Sequence, residues 1–272
     1  MVRSLWTAAS GMLAQQNNVD TIANNLANVN TTGYKTESVE FKSLLYQDTQ
    51  SKTTSANGAL KPVSAQIGLG VRNASITSNF RAGSFFESKS STAFAIEGDG
   101  FFGIQGQDGN KYYTKNGDFK VVIGGEDKLM LTTSSGEAVL DTQGKPITFD
   151  GDIIASKLTI SATGEFLYPN ENNNPTPLGV SMGLYQFSNP AGLEKEGNSL
   201  FSETAASGPA LNEATNTEVK RSSLAQGYLE GSNVQVVDEM VNMIVAQRAY
   251  EMNSKTIQAS DDMMQQANSL RR

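Results

Sequence analysis

The sequence of 272 residues contains no cysteine and no histidine. Without cysteine the chain can form no disulfide, offers no thiolate nucleophile and cannot build a cysteine zinc site. Without histidine it lacks the commonest general base of enzymes and the commonest metal ligand of proteins. The two absences argue against an enzyme, and no catalytic, cofactor or metal site is predicted.

Charged residues are also scarce, at 18% of the chain, and the net charge is −7. A net negative chain repels nucleic acid phosphates and anionic membranes, so we expect neither nucleic-acid binding nor membrane insertion. No apolar run is long enough to span a bilayer, and the N-terminus lacks the pattern of a cleavable secretory signal. The length exceeds what one hydrophobic core usually supports, which predicts two domains.

Apolar residues recur at helical spacing at both ends of the chain. This predicts a helix from about Ser4 to about Val29 and a second helix that begins near Ser232. The two stripes consist of Leu5, Ala8, Met12, Val19, Ile22, Leu26 and Val29, and of Val237, Val241, Val245, Ala249, Met252, Thr256, Ala259, Met263, Ala267 and Leu270. The seven-residue repeat of the first stripe is typical of a coiled-coil seam. A lone amphipathic helix cannot bury its stripe, so each helix needs the other helix or another copy of the chain.

Three asparagines, Asn24, Asn25 and Asn28, lie near the end of the first predicted helix. Asparagine is a poor helix former because its amide competes for backbone hydrogen bonds. The cluster is either a solvated polar face or an amide ladder that bonds neighbouring helices in an assembly. Gly33 is expected to end this region, since glycine tolerates the left-handed conformation that closes a helix.

The middle of the chain shows short alternating runs separated by turn residues, such as Val71–Thr77, Lys111–Thr114 and Leu129–Thr133. This pattern predicts an antiparallel β-domain, a barrel or a sandwich, inserted into a discontinuous, coiled-coil-like helical domain, so the fold class is α+β. The predicted segments are 1–45 (helix and connector), 46–70 (polar extension), 71–224 (β-domain) and 225–272 (C-terminal helix). The extension is too polar for a core of its own, and a partner is expected to order it.

Residues 98–103 match the dinucleotide-binding pattern G-x-G-x-x-G. That site requires a helix directly after the glycines, whose N-terminal amides hold the pyrophosphate. The residues from Phe101 to Gln105 instead continue as a strand. The pattern therefore predicts a tight turn with two aromatic core residues.

Three blocks of sequence resemble the bacterial flagellar rod and hook protein family. They are AASGM (8–12) with IANNLANVNTTGYK (22–35), AIEGDGFF (95–102), and GYLEGSNV (227–234) with EMVNMI (239–244) and QRAYE (247–251). The blocks occur in the family's order and extend over nearly the whole chain. Within the family, the chain resembles the distal rod type most, both in its length and in residues 250–255. Residues 46–70 lie where that type carries an extra segment associated with a straight, stiff tube.

The resemblance implies a structural subunit that polymerises helically into the drive shaft between motor and hook. Implied partners are further copies of the chain, other rod and hook proteins, the flagellar type III export apparatus and an outer ring or bushing. The implied location is the basal-body rod in the periplasmic space, reached without a cleaved signal peptide. Alternatives are a proximal rod or hook subunit, or a secreted β-domain enzyme or carbohydrate-binding module with helical oligomerisation arms.

The assembly interface is expected to follow the two stripes and the asparagine cluster. Its predicted members are Leu5, Met12, Val19, Ile22, Asn24, Asn25, Leu26, Asn28, Val29, Val237, Val241, Ile244, Val245, Ala249, Met252, Ala259 and Met263.

Overall fold

The computed structural model describes residues 2–50, 65–124, 128–150, 153–170, 174–216 and 219–270. The chain divides into two compact units, each built from separate stretches of sequence. The helical unit consists of Met1–Ala27, Glu37–Thr77 and Gln235–Arg272, and the β-unit consists of Asn28–Thr36 and Ser78–Val234. The predicted boundaries at 45, 70 and 224 stay a prediction.

Two long helices dominate the helical unit, as the apolar periodicity predicted. Its elements are α1 (Val2–Ala27), β1 (Glu37–Ser43), β2 (Tyr46–Gln50), β3 (Ala65–Gly68), β4 (Val71–Ser78) and α2 (Val236–Ser269). Two acidic residues, Asp238 and Glu239, occupy the first turn of α2, where the positive end of the helix dipole stabilises their carboxylates.

Four strands accompany the helices. β1 pairs with β4, and β2 pairs with β3 in antiparallel register, with Tyr46 opposite Gly68 and Gln47 opposite Ile67. Both ends of the predicted extension 46–70 are therefore paired strands rather than loop. Residues 51–64 of that extension lie outside the described residues.

The β-unit is built from short, mostly antiparallel strands. They are β5 (Phe85–Glu87), β6 (Phe94–Glu97), β7 (Phe101–Gln105), β8 (Lys111–Thr114), β9 (Lys120–Ile123), β10 (Lys128–Thr132), β11 (Ala138–Val139), β12 (Thr148–Asp150), β13 (Thr159–Ile160), β14 (Glu165–Pro169), β15 (Pro175–Ser181), β16 (Leu184–Gln186), β17 (Glu194–Gly197), β18 (Leu200–Ser202), β19 (Leu211–Asn212), β20 (Ser223–Gln226) and β21 (Tyr228–Glu230). Short 3₁₀ turns lie at Ala155–Lys157 and Pro190–Gly192.

The largest sheet of the β-unit has ten strands and runs in the order β12-β10-β11-β7-β8-β18-β17, with β9, β16 and β19 as branches. A three-stranded sheet, β13-β14-β15, and the ribbons β20-β6 and β21-β5 complete the unit. The fold class is α+β with antiparallel strands, as predicted. Among the described strands this path is open, and the pairings do not close into a barrel.

Aromatic side chains form the core of the β-unit. Phe94, Phe102, Phe119 and Phe166 are fully buried, and the Phe102 and Phe119 rings meet edge to face at 5.0 Å. Phe101 and Phe102 begin β7, immediately after the glycine-rich turn. The prediction that residues 98–103 form a turn with aromatic core residues is confirmed, because a strand and not a helix follows the glycines.

Candidate assembly interface

The helices α1 and α2 pack against each other in antiparallel orientation along a seam that contains many polar groups. Ser4 and Ser260 lie with their hydroxyl oxygens 3.1 Å apart, and Asn25 donates its amide N–H to Glu239 at 3.1 Å. Between them, Gly11 leaves room for Asn253, whose amide nitrogen lies only 2.8 Å from where a Cβ on Gly11 would be. The three α1 positions are separated by seven and by fourteen residues, so the contacts define one register of α1 against α2.

Asn25 is the member of the predicted asparagine cluster that lies deepest in the helical unit. It is buried, and its amide exchanges two hydrogen bonds with the backbone of Glu37, at 2.8 Å and 2.9 Å, besides the bond to Glu239. Asn24 in contrast is exposed, and Asn28 is half-buried and accepts the Thr31 hydroxyl at 3.1 Å. The bonds of Asn25 thus connect α1 to β1 and α2 of the same chain.

The seam residues of α2 are spaced by alternating four- and three-residue steps, and half of them are small or polar. They are Glu239, Met243, Ala246, Tyr250, Asn253, Ile257, Ser260 and Met264, of which Glu239, Ala246 and Ser260 are buried and Tyr250, at the edge of the seam, is exposed. A carboxylate, an amide and a hydroxyl occupy positions that apolar side chains fill in most helix pairs. This intrachain seam therefore contributes little hydrophobic stabilisation for its length.

The predicted C-terminal stripe lies on the side of α2 that faces away from this seam. Val237, Val245 and Met252 expose 73%, 62% and 63% of their surface, and Val241 and Ile244 are similarly exposed. Outward positions of a helix pair are normally polar. The helical unit thus mixes polar groups into the seam of the pair and leaves aliphatic side chains on its outside.

The remaining predicted residues divide between the seam and its flank. Ile22 is buried, whereas the residues spaced by seven along α1 (Leu5, Met12, Val19 and Leu26) are half-buried. Ala249 and Val29 are half-buried, and Ala259 and Met263 are exposed.

The sequence reasoning missed two exposed apolar residues of α1, Trp6 and Leu13. Their exposed fractions are 73% and 65%. They are spaced by seven and lie on a different face from the predicted stripe. Their seven-residue spacing was a usable signal, but two residues alone do not outweigh a stripe of seven.

The resemblance blocks at 22–35 and 227–234 contribute a buried ion pair to the β-unit. Lys35 Nζ donates to Glu230 Oε1 at 2.6 Å, and the two side chains are 1% and 2% exposed. The same carboxylate oxygen accepts the Gly83 backbone N–H at 2.9 Å, and the Glu230 carbonyl oxygen accepts the Gly33 N–H at 2.8 Å. Gly33 has φ +70°, the left-handed conformation expected of it, but α1 already ends at Ala27, so Gly33 turns the chain beyond the helix and does not close it.

A second buried lysine lies in the same unit. Lys115 donates to the Gly98 carbonyl oxygen at 3.0 Å and lies 4.9 Å from the centre of the Phe101 ring. Burial lowers the pKa of Lys115 from 10.5 to about 8, although the nearby Glu230 carboxylate opposes that shift. These contacts hold the β-unit together, and none of them presents a reactive group to a cleft.

Membrane spanning by a helix and metal binding find no support in the described residues. Within them, no helix has a stretch apolar enough to cross a bilayer, and no three acidic side chains are placed to hold a metal ion. What this arrangement can do is associate, since the helical unit presents aliphatic and aromatic side chains to solvent.

Comparison with known proteins identifies the kind of assembly. Residues 5–35 match the family described as flagella basal body rod protein, residues 95–168 the flagellar hook protein FlgE/F/G D1 domain, and residues 225–270 the flagellar basal body rod FlgEFG protein C-terminal. The flagellar basal-body rod protein FlgG of Borreliella burgdorferi is 45% identical over the full length of both chains. The chain belongs to the flagellar basal-body rod protein family.

Other rod proteins agree with this result. FlgG of Bacillus subtilis is 34% identical over 100% of both chains, and FlgG of Agrobacterium fabrum is 39% identical over 96% of this chain and 97% of that one. Membership of the rod family makes the chain a structural subunit of the flagellar distal rod and not an enzyme, as the sequence predicted.

Proposed function

We propose that copies of this chain polymerise helically through the helical unit and form the shaft that transmits motor torque to the hook. The observation that carries the proposal is the exposed aliphatic face of α2, which lies outside a helix pair whose seam is partly polar. A helix pair of this kind gains more from packing against other helices than from its own seam.

The size of the effect supports polymerisation rather than a stable free arm. Burying one aliphatic side chain completely contributes ~1.5–3 kcal/mol, and the outward residues of α2 still expose more than half of their surface. Each therefore has about 1–2 kcal/mol left to gain on contact with a neighbour. Several such side chains per subunit, repeated along a tube, give a cooperative wall.

The proposed interface comprises the exposed or half-buried members of the predicted set, with Val237, Val241, Ile244, Val245 and Met252 at its centre. Ile22 and Asn25 act within the chain instead, since their side chains are buried against it. The β-unit, for which we retain the predicted sandwich arrangement, forms the outer layer of the tube. The extension 46–70 bridges neighbouring subunits and stiffens the shaft.

The location and partners that follow from this function are part of the proposal. Other rod and hook proteins join the shaft end to end, and a ring or bushing surrounds it in the periplasmic space. The type III export apparatus delivers the chain unfolded, which a chain without cysteine permits because no bridge can lock it beforehand. N-terminal sequencing of the subunit recovered from rods tests whether a leader is removed.

A charge on the outward face of α2 tests the assembly interface. We expect Val241→Lys to leave the free chain folded, because this side chain is already more than half exposed, but to abolish rods and swimming. Ile123→Lys, a change of the same kind at an exposed apolar residue of β9, is the matched control and should swim normally. Electron microscopy of basal bodies and a swimming assay give the readout. Normal rods with Val241→Lys would refute the interface.

A further inference from the structure

The outermost row of α1 carries the only tryptophan of the chain. Trp6 exposes 73% of its surface, and Leu13, one heptad later on the same face, exposes 65%. Exposed apolar side chains that are neighbours on one helical face form a patch, and apolar patches mark interaction surfaces. Tryptophan is moreover the residue most enriched at the energetic centres of protein interfaces.

A groove runs along one flank of the helix pair in the helical unit. Gln16 and Val19 of α1 and Gln247, Tyr250 and Glu251 of α2 line it, and its volume is ≈ 450 Å³. This volume falls within the range of cavities that hold small molecules, so it accommodates one bulky aromatic side chain. The lining combines an apolar valine and an aromatic ring with amide and carboxylate oxygens that can accept an indole N–H.

The geometry points to Trp6 of one copy inserting into this groove of the next copy, an inference that rests on the proposed function. The row that would insert and the row that would receive it share the same seven-residue repeat. A shift of 13 residues that seats Trp6 beside Val19 therefore also seats Leu13 beside Leu26. At 1.5 Å per residue, the two copies would be displaced by about 20 Å along α1.

Charge complementarity favours a second copy as the occupant. Arg3 lies one helical turn before Trp6, and Glu251 lies in the groove, where it pairs with the highly exposed Arg248 at 2.9 Å and keeps its second carboxylate oxygen available for another cation. Inserting Trp6 brings the Arg3 guanidinium near this carboxylate. The ridge and the groove are different surfaces of the same chain, so the contact is heterologous and builds an open assembly rather than a closed dimer.

The single tryptophan allows a direct test on the unaltered full-length chain. Tryptophan emission and acrylamide quenching are measured for dilute protein and for sedimented polymer. We expect polymerisation to shift the emission to shorter wavelength and to reduce quenching several-fold, because the indole leaves water. Polymer in which Trp6 stays as quenchable as in the free chain would overturn the inference but leave the proposed function intact. Absence of any polymer would overturn both.

Engineered cysteines identify the groove as the place where the indole goes, since the chain has no cysteine of its own. Oxidised polymer of the double variant Trp6→Cys/Gln247→Cys should give a ladder of disulfide-linked chains on denaturing gels. The control pair Ser4→Cys/Ser260→Cys should bridge within one chain, because those hydroxyls are 3.1 Å apart. The contradicting result has three parts: polymer of the unaltered chain protects Trp6, the control pair bridges, and the first pair gives no ladder. Trp6 would then lie against some other surface, and the inference would be overturned.

Discussion

Replacing Lys35 by methionine tests whether the ion pair formed by the two terminal sequence blocks holds the β-unit together. The methionine keeps the apolar stem of the side chain but removes the ammonium that bonds Glu230 at 2.6 Å. A carboxylate 2% exposed then remains without its cation. Removing one partner of such a buried pair costs about 3–5 kcal/mol. Whole-protein stabilities are of order 5–15 kcal/mol, so the loss is a large fraction of the total.

Urea unfolding of the full-length chain, followed by circular dichroism in the β region, measures this loss. With a slope of about 2 kcal/mol per molar urea, the midpoint should fall by about 2 M. The double variant Lys35→Met/Glu230→Gln should recover at least half of the difference. Its amide keeps an acceptor for the Gly83 N–H but carries no charge.

The control for this experiment is Lys120→Met, at an exposed lysine of β9, which should change the unfolding free energy by less than about 0.5 kcal/mol. If the unfolding free energy of Lys35→Met lay within about 1 kcal/mol of that of the native chain, the reasoning would be wrong, because a change of that size is typical of surface substitutions. The pair would then be replaceable by water or by rearranged neighbours.

Three further outcomes are expected. The unfolding free energy should rise by about 2 kcal/mol between pH 8 and pH 10, because the pKa of Lys115 is about 8 when folded and near 10.5 when unfolded, so unfolding takes up a proton there; Lys115→Met should remove this rise. Asn25→Ala should cost about 2–3 kcal/mol, seen as faster amide exchange at the start of α2, because it leaves a buried carboxylate unpaired; Asn17→Ala, at an exposed site, should not. Gly33→Ala should lower the thermal midpoint, at a cost of about 1–3 kcal/mol, because φ is +70° and a Cβ would lie 2.7 Å from the Asn116 nitrogen.

Elements that rest on local patterns were predictable from the sequence. The first helix was expected at about residues 4–29 and runs over Val2–Ala27, and the strand expected at Lys111–Thr114 has those bounds. The aromatic turn also follows from local backbone chemistry, and so does the positive φ of Gly33, although that glycine does not end the helix. Apolar periodicity and turn residues act over a few positions, so a single sequence is enough to reveal them.

The side of α2 that pairs with α1 was not predictable in this way. Hydrophobic periodicity picks out the most apolar face, but Glu239, Asn253 and Ser260 lie in the actual seam and leave the aliphatic face outward. The intrachain partners of Asn25, Glu37 and Glu239, are likewise revealed only by the fold. The Lys35–Glu230 pair joins positions 195 residues apart, a distance at which no local signal exists.

The contact between Ser4 and Ser260 joins positions separated by 256 residues, with the whole β-unit between them in sequence. Contacts of such long sequence separation form late in folding, since a long loop must close before they contribute. A chain that has not yet supplied α2 leaves α1 without its seam partner. The order of folding therefore prevents incomplete chains from assembling. A truncated or partly exported chain lacks the helix pair, so it also lacks the surface through which subunits would associate.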